Sequence, residues 1–368
     1  MYDRLVRRRH APPWLVVPYA GLIPLILGLG LGACLVAIDD GLIARRQPVD
    51  ARPDTADVAE PSDAGFDAPE AIDATVFISG QTSLGHVVVG DGKVAWATRE
   101  RVLTCPANGC AGAPEIVIDP PTAALSGVLW SARGKVYDVE HSGSSWSLRG
   151  CPFGPCDGQI SHYGAPSLAP VLGGSPFVTD GTESFVIVDS QDIERCTNAS
   201  CTFRKLLGPV TGVVSFGLTA TKLFWTQSGA DGKVLWCMRS GCASPSTLRE
   251  GLPNPRGLTI SNDIVYWTNL DDGTVMSCPA DGCGAAGPRV LATGQNAPSR
   301  LTIEGDRLFW INSGNDTIGT VASSGSEPPF TLAQGVPSAE ELAVDEGHVF
   351  VSSPTTGSIY VIARPPSR

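Results

Sequence analysis

Ten of the eleven cysteines in this 368-residue chain fall into five pairs: Cys105/Cys110, Cys151/Cys156, Cys196/Cys201, Cys237/Cys242 and Cys278/Cys283. Every pair has the form C-x4-C. A four-residue loop such as Pro279-Ala280-Asp281-Gly282 turns a hairpin and sets the flanking cysteines opposite each other on adjacent antiparallel strands, at a separation that suits S–S geometry. Zinc would need about four converging ligands, and dithiol redox chemistry normally uses C-x-x-C. Five identical copies fit neither. The expectation is five local disulfides, each worth about 1–3 kcal/mol because so short a loop removes little chain entropy, with no metal and no cofactor. Cys34 stands apart.

Little else in the chain advertises chemistry. The histidines, His10, His86, His141, His162 and His348, show no clustered metal-ligand spacing. There is no nucleophile elbow, zinc-binding helix motif, phosphate loop or dinucleotide fingerprint. Asp231, Asp271 and Asp272 sit near turns, where acids serve turn geometry, line a ring surface or hold Ca²⁺. The formal charge of -11 argues against nucleic acid, whose phosphates want a basic surface.

The elements that carry the cysteines are repeats. Residues 217–242, 257–283 and 300–325 align, with Trp225, Trp267 and Trp310 at one point, 42 and 43 residues apart. The phase extends downstream to Val351 and upstream to Val186, Trp130 and Trp96, giving seven units. The 56-residue gap from Trp130 to Val186 implies an insertion. The first cysteines of successive pairs lie 46, 45, 41 and 41 residues apart, nearly in step. Each unit reads as four short strands separated by Gly, Asp and Asn turns, the size of one propeller blade. Units six and seven lack cysteine; Val321 takes the place of Cys278. The fold class is therefore all-β, a β-propeller of about seven four-stranded blades, six or eight being the neighbouring counts. Tyr266 and Trp267 should face opposite neighbouring blades, since strand side chains alternate. The strand near Thr75–Ser79 should close the ring by completing the sheet of SIYVIA, residues 358–363.

VYWTN at 265–269 resembles the YWTD repeat of extracellular six-bladed propellers of the lipoprotein-receptor kind. LFWTQ at 223–227 and LFWIN at 308–312 are similar. The likeness covers about residues 76–363, and NHL-like sensor propellers fit as well. It implies rigid blades and a flat ring face that binds protein partners. The Asp of the motif is replaced throughout, by Asn269, Gln227, Asn312 and Ser353, and seven units stand in place of six.

The N-terminus reads as a targeting element. Residues 1–13 carry Arg4, Arg7, Arg8 and Arg9, expected to stay cytoplasmic. Residues 14–38 contain no charge and are long enough to span a membrane. They suit an uncleaved anchor, a lipoprotein signal with Leu31-Gly32-Ala33-Cys34 as lipobox and Cys34 lipidated, or an ordinary secretion signal. Residues 39–74 hold ten acidic residues and three Arg, too polar to fold, and form a linker to the propeller at 75–365. The functional expectation is a non-catalytic, membrane-tethered propeller in the bacterial cell envelope, periplasmic or extracellular, that binds an envelope protein or glycan. The alternative is a propeller lyase or hydrolase, marked by His, Asp or Arg side chains converging on the central channel.

Overall fold

The computed structural model describes residues 68–119, 124–142, 145–156, 163–165, 177–188, 191–197 and 203–365. The expected N-terminal helix, its Cys34 and most of the linker lie outside these residues. Among the described residues no helix is long and apolar enough to cross a membrane.

Seven antiparallel four-stranded sheets follow one another along the chain. We number them as blades 1 (87–118), 2 (124–165), 3 (177–207), 4 (213–252), 5 (255–292), 6 (298–334) and 7 (341–363, completed by Thr75–Ile78). The first strand of each blade packs against the first strand of the next. Glu341–Val344 of blade 7 packs against Val87–Gly90 of blade 1, so the ring closes at seven.

Closure uses the N-terminal chain. Thr75–Ile78 pairs antiparallel with Ser358–Ala363 as the outer strand of blade 7. Just before it, Ile72–Asp73 pairs parallel with Phe330–Gln334, adding a fifth strand to blade 6.

The second strands carry the main core. Trp96, Trp225, Trp267 and Trp310 are all 0% exposed. Alternation along the strand sends neighbours to opposite blades. Trp267 packs with Phe224 of blade 4, and the adjacent Tyr266 packs with Trp310 of blade 6. Trp225 likewise meets Phe185 of blade 3, and Phe350 of blade 7 meets Trp96 of blade 1. Blades 4 and 5 thus each place a large side chain against both neighbours, which is how sheets that cannot bury two faces alone become stable.

The asparagines that replace the motif's Asp tie the second strand to the third. Trp310 Nε1 donates to Asn312 Oδ1 at 3.1 Å and to Gln295 Oε1 at 3.1 Å, while Asn312 Nδ2 donates to Thr317 Oγ1 at 3.2 Å. Asn269 Nδ2 donates to Thr274 Oγ1 at 2.9 Å. Both asparagines are buried; an amide serves there without the desolvation cost of a carboxylate. Gly273, at φ 67°, lets Gln295 approach: a Cβ would stand 2.2 Å from the Gln295 carbonyl oxygen.

One repeat assignment is corrected. The strand registers Val87↔Trp96, Phe216↔Trp225, Leu258↔Trp267, Leu301↔Trp310 and Leu342↔Val351 define the tryptophan position. In blade 2 the corresponding pair is Leu129↔Asp138. Trp130 therefore sits on the first strand, and fully buried Asp138 takes the core position. The Ala132–Lys135 turn is accordingly the first of its blade. Counted from Asp138, the interval to Val186 shrinks to 48 residues.

The cysteine hairpins staple the third strand to the fourth segment. Cys105–Cys110, Cys151–Cys156, Cys237–Cys242 and Cys278–Cys283 are disulfides, with Cα atoms 4.9–5.6 Å apart. Cys196 is also disulfide-bonded; Cys201 lies outside the described residues. These hairpins lie against the first turn of their own blade, as where Ala280 N donates to Asp263 O and Ala107 N to Gly92 O. They therefore crowd one face of the ring.

Candidate active site

At the centre of the ring the seven first strands enclose a cavity of about 500 Å³ to which every blade contributes. Its most distinctive residues stand at one register position, immediately before the residue that pairs with the tryptophan position. That position holds His86 in blade 1, Ser215 in blade 4, Gly257 in blade 5, Arg300 in blade 6 and Glu341 in blade 7. It lies at the start of the first strand, and hence at the mouth opposite the disulfide hairpins.

In blades 4 and 5 this position is small and used for packing. Ser215 Oγ accepts from Leu258 N at 3.2 Å. Gly257 lets blade 6 come close; a Cβ there would meet the Ser299 carbonyl oxygen at 2.3 Å.

In blades 6, 7 and 1 the same position is ionisable, and ring geometry brings the three side chains together. Glu341 Oε1 lies 3.1 Å from His86 Nε2 and also contacts the Arg300 guanidinium. Arg300 Nε donates to the Glu340 carbonyl at 3.3 Å. The His86 and Glu341 side chains are 14% and 13% exposed, whereas Arg300 at 29% reaches further into solvent. Burial depresses the pKa of His86, and the Arg300 charge adds to that. The carboxylates of Glu341 and Glu340 and the Leu129 carbonyl work in the opposite direction without reversing it. The imidazole is accordingly neutral at neutral pH, next to a carboxylate that would stabilise its protonated form.

Blades 2 and 3 continue the arc with aromatic side chains. Trp130 meets His86 edge-on, with ring centroids 5.8 Å apart and planes at 66°. On its other side Trp130 lies 4.1 Å from the Phe177 ring. Arg300, Glu341, His86, Trp130 and Phe177 thus form an unbroken row across blades 6, 7, 1, 2 and 3. Val178, Val214, Phe216, Thr259 and Thr302 complete the wall.

A neutral histidine, a carboxylate beside it and a partly exposed guanidinium form a set that can remove a proton and stabilise the negative charge left behind. In the sequence His86 stands only among unclustered histidines, and no motif marks Arg300 or Glu341. The paired cysteines lie away from this cluster, in the hairpins of the opposite face. Among the described residues no group of three or more His, Cys, Asp or Glu side chains is placed to hold a metal ion.

No protein-family model matches the chain, and no curated protein matches it. Solved structures do. Virginiamycin B lyase from Staphylococcus aureus superimposes with a TM-score of 0.61 at 15% identity, covering 80% of this chain and 99% of that one. A streptogramin B lyase gives 0.60 at 12% identity, covering 78% of this chain and 96% of that one. A catalytically inactive histidine-to-alanine variant of the Staphylococcus aureus lyase, solved with quinupristin, gives 0.60 at 16% identity over 80% and 99%. At these identities the likeness is one of fold. It points to lyase propellers in place of the YWTD and NHL repeats that the motif suggested. It also overturns the expectation of a non-catalytic scaffold as the main reading: the fold is matched by catalytic lyases, and the channel holds an ionisable cluster. What these comparisons establish is a seven-bladed β-propeller of the architecture that virginiamycin and streptogramin B lyases share.

Proposed function

We propose that the chain is a lyase whose active site is the channel mouth around His86, Glu341 and Arg300. The observation that carries this reading is the convergence of those three side chains from three different blades. His86, neutral and largely shielded, takes a proton from a carbon next to a carbonyl. The bond from the adjacent carbon to the ester oxygen or amide nitrogen then breaks, leaving a C=C bond and a departing carboxylate or amide that carries the electron pair. Glu341, facing Nε2, stabilises the imidazolium that forms, and Arg300 neutralises the charge developing on the carbonyl oxygen. Among the described residues the groups acting on His86 are Glu341, Arg300, Glu340 and the Leu129 carbonyl. None of these is a hydroxyl or thiol of the Ser–His or Cys–His kind, which favours elimination over an acyl-enzyme hydrolysis.

The wall also speaks to the substrate. Among the described lining residues Glu304 and Glu341 are the acids and Arg300 the cation, and the accessible wall is more polar than apolar, with Trp130, Val178 and Val214 as its apolar part. That balance disfavours phosphorylated or polyanionic substrates and suits an uncharged or cationic polar molecule. A panel of such esters, lactones and amides, including virginiamycin B and quinupristin, should contain a compound cleaved to products of unchanged total mass. His86→Gln should slow the reaction about 10²–10⁴-fold without altering the melting temperature. Products that have gained one water, or a rate that His86→Gln leaves within about twofold, would overturn the reading.

The enzyme works outside the cytoplasm on an N-terminal tether. Arg4, Arg7, Arg8 and Arg9 ahead of an uncharged stretch, and the paired cysteines, support this. Lipid labelling that disappears in Cys34→Ala would identify a lipoprotein; a retained, unlabelled membrane form would identify an uncleaved anchor.

A further inference from the structure

Trp130 departs from the repeat in a way that the proposed chemistry does not by itself explain. It is the only aromatic side chain at its register position among the described blades. The corresponding residues are Val88, Val178, Gly217, Thr259, Thr302 and Ala343. It is also wedged on both sides, with His86 edge-on at 5.8 Å and Phe177 at 4.1 Å. Phe177 is 5% exposed and backs the indole firmly.

We propose that Trp130 is a positioning residue for His86: braced by Phe177, it covers one side of the imidazole against water and holds the ring toward Glu341. The proposal deepens the functional reading, since it concerns the residue given the role of base, but it is measured without any substrate. The groups that face His86 are Glu341 and Glu340 from blade 7, Arg300 from blade 6 and the Leu129 carbonyl from blade 2. The carboxylates and the carbonyl favour the protonated ring, and only Arg300 and exclusion of water oppose them. Removing the indole admits water and weakens the second of these, so the ring should bind a proton more readily.

The test is a titration of the His86 imidazole followed by NMR in the full chain, with the resonance assigned from its absence in His86→Gln. Trp130→Ala should raise the titration midpoint by about one pH unit, a tenfold gain in proton affinity, and Trp130→Gln should do the same. Trp130→Phe, which keeps an aromatic wedge, should move it by no more than a few tenths. Glu341→Gln should move it the other way, downward, because a favourable charge is lost. If Trp130→Ala does not fold, Trp130→Gln carries the test. A folded variant of either kind with the wild-type midpoint would overturn the proposal, as would a rise in Glu341→Gln. Because the readout is the imidazole itself, an inactive protein can still show the shift and an active one can fail to. The two readings therefore stand or fall separately.

Discussion

Two layers of this ring lie one residue apart in register and behave oppositely. The tryptophan position on the second strands repeats: Trp in blades 1, 4, 5 and 6, Val in blades 3 and 7, all buried. The position one step away on the paired first strand changes with every described blade, from His86 to Ser215, Gly257, Arg300 and Glu341. Outside blade 2, where Asp138 stands, the first layer stays apolar because each blade must fill a similar gap in its neighbour. The second borders open space in blades 6, 7 and 1, where packing does not dictate the residue as it does at Ser215 and Gly257. In a repeat protein the fold is written in what recurs and the site in what does not.

That contrast can be broken by experiment. Trp267→Ala removes a fully buried indole between blades 4 and 5 and should cost about 3–5 kcal/mol in denaturant unfolding. A loss under about 1 kcal/mol would mean the tryptophans are not the packing layer described. Replacing Cys278 and Cys283 together by Ser should cost about 1–3 kcal/mol and leave His86-dependent activity unchanged, since the hairpins face the far mouth. Non-reducing peptide mapping should show Cys237 joined to Cys242 and Cys278 to Cys283, and interblade links would refute the hairpin arrangement.

The pH dependence should separate the layers further. His86 has its folded pKa below its ordinary value of 6.5 because burial disfavours the imidazolium. The unfolded chain therefore binds the proton more readily, and stability is lost as pH falls through and below about 6.5. Asp180 acts in a lower window. Burial would raise its pKa, but hydrogen bonds from Thr182, Arg239 and the Glu183 and Thr182 backbone outweigh that and hold it well below 3.8. Its contribution is complete above that value and is lost as pH falls below it. Two steps in a plot of unfolding midpoint against pH are expected, and His86→Gln should erase only the upper one. The smallest effect belongs to Arg300→Leu combined with Glu341→Gln. Stability should change by no more than about 1 kcal/mol in either direction, since site residues are rarely chosen for stability, while turnover collapses. A large stability loss would make the cluster structural.

The architecture was legible because its signals recur. Trp225, Trp267 and Trp310, the C-x4-C hairpins and the SIYVIA strand with its N-terminal partner each follow from a packing or closure requirement met at regular intervals. Blade 2 was misread because VLWSARGKVYD offers an aromatic residue one strand early, while Asp138 stands where the core tryptophan belongs. The 42 residues from Trp96 to Asp138 would have restored the phase. The site was illegible for a different reason. His86, Arg300 and Glu341 are single residues in single units, and the last two are more than 200 residues from the first. Only stacking the first strands in register puts them in one column, and only closure of the ring puts blade 7 beside blade 1.

The clasp also fixes how the ring would carry tension. Chain arriving from upstream enters along Ile72–Asp73 on blade 6 and Thr75–Ile78 on blade 7, while the C-terminal strand Ser358–Ala363 lies directly beside the latter. A pull between the two ends of the domain is therefore borne by one hydrogen-bonded strand pair with a short brace on the adjoining blade. Blades 1 to 5 lie outside that line of force. Force applied at the N-terminal end of the domain would strain the seam first and reach most of the channel wall only after the seam had parted.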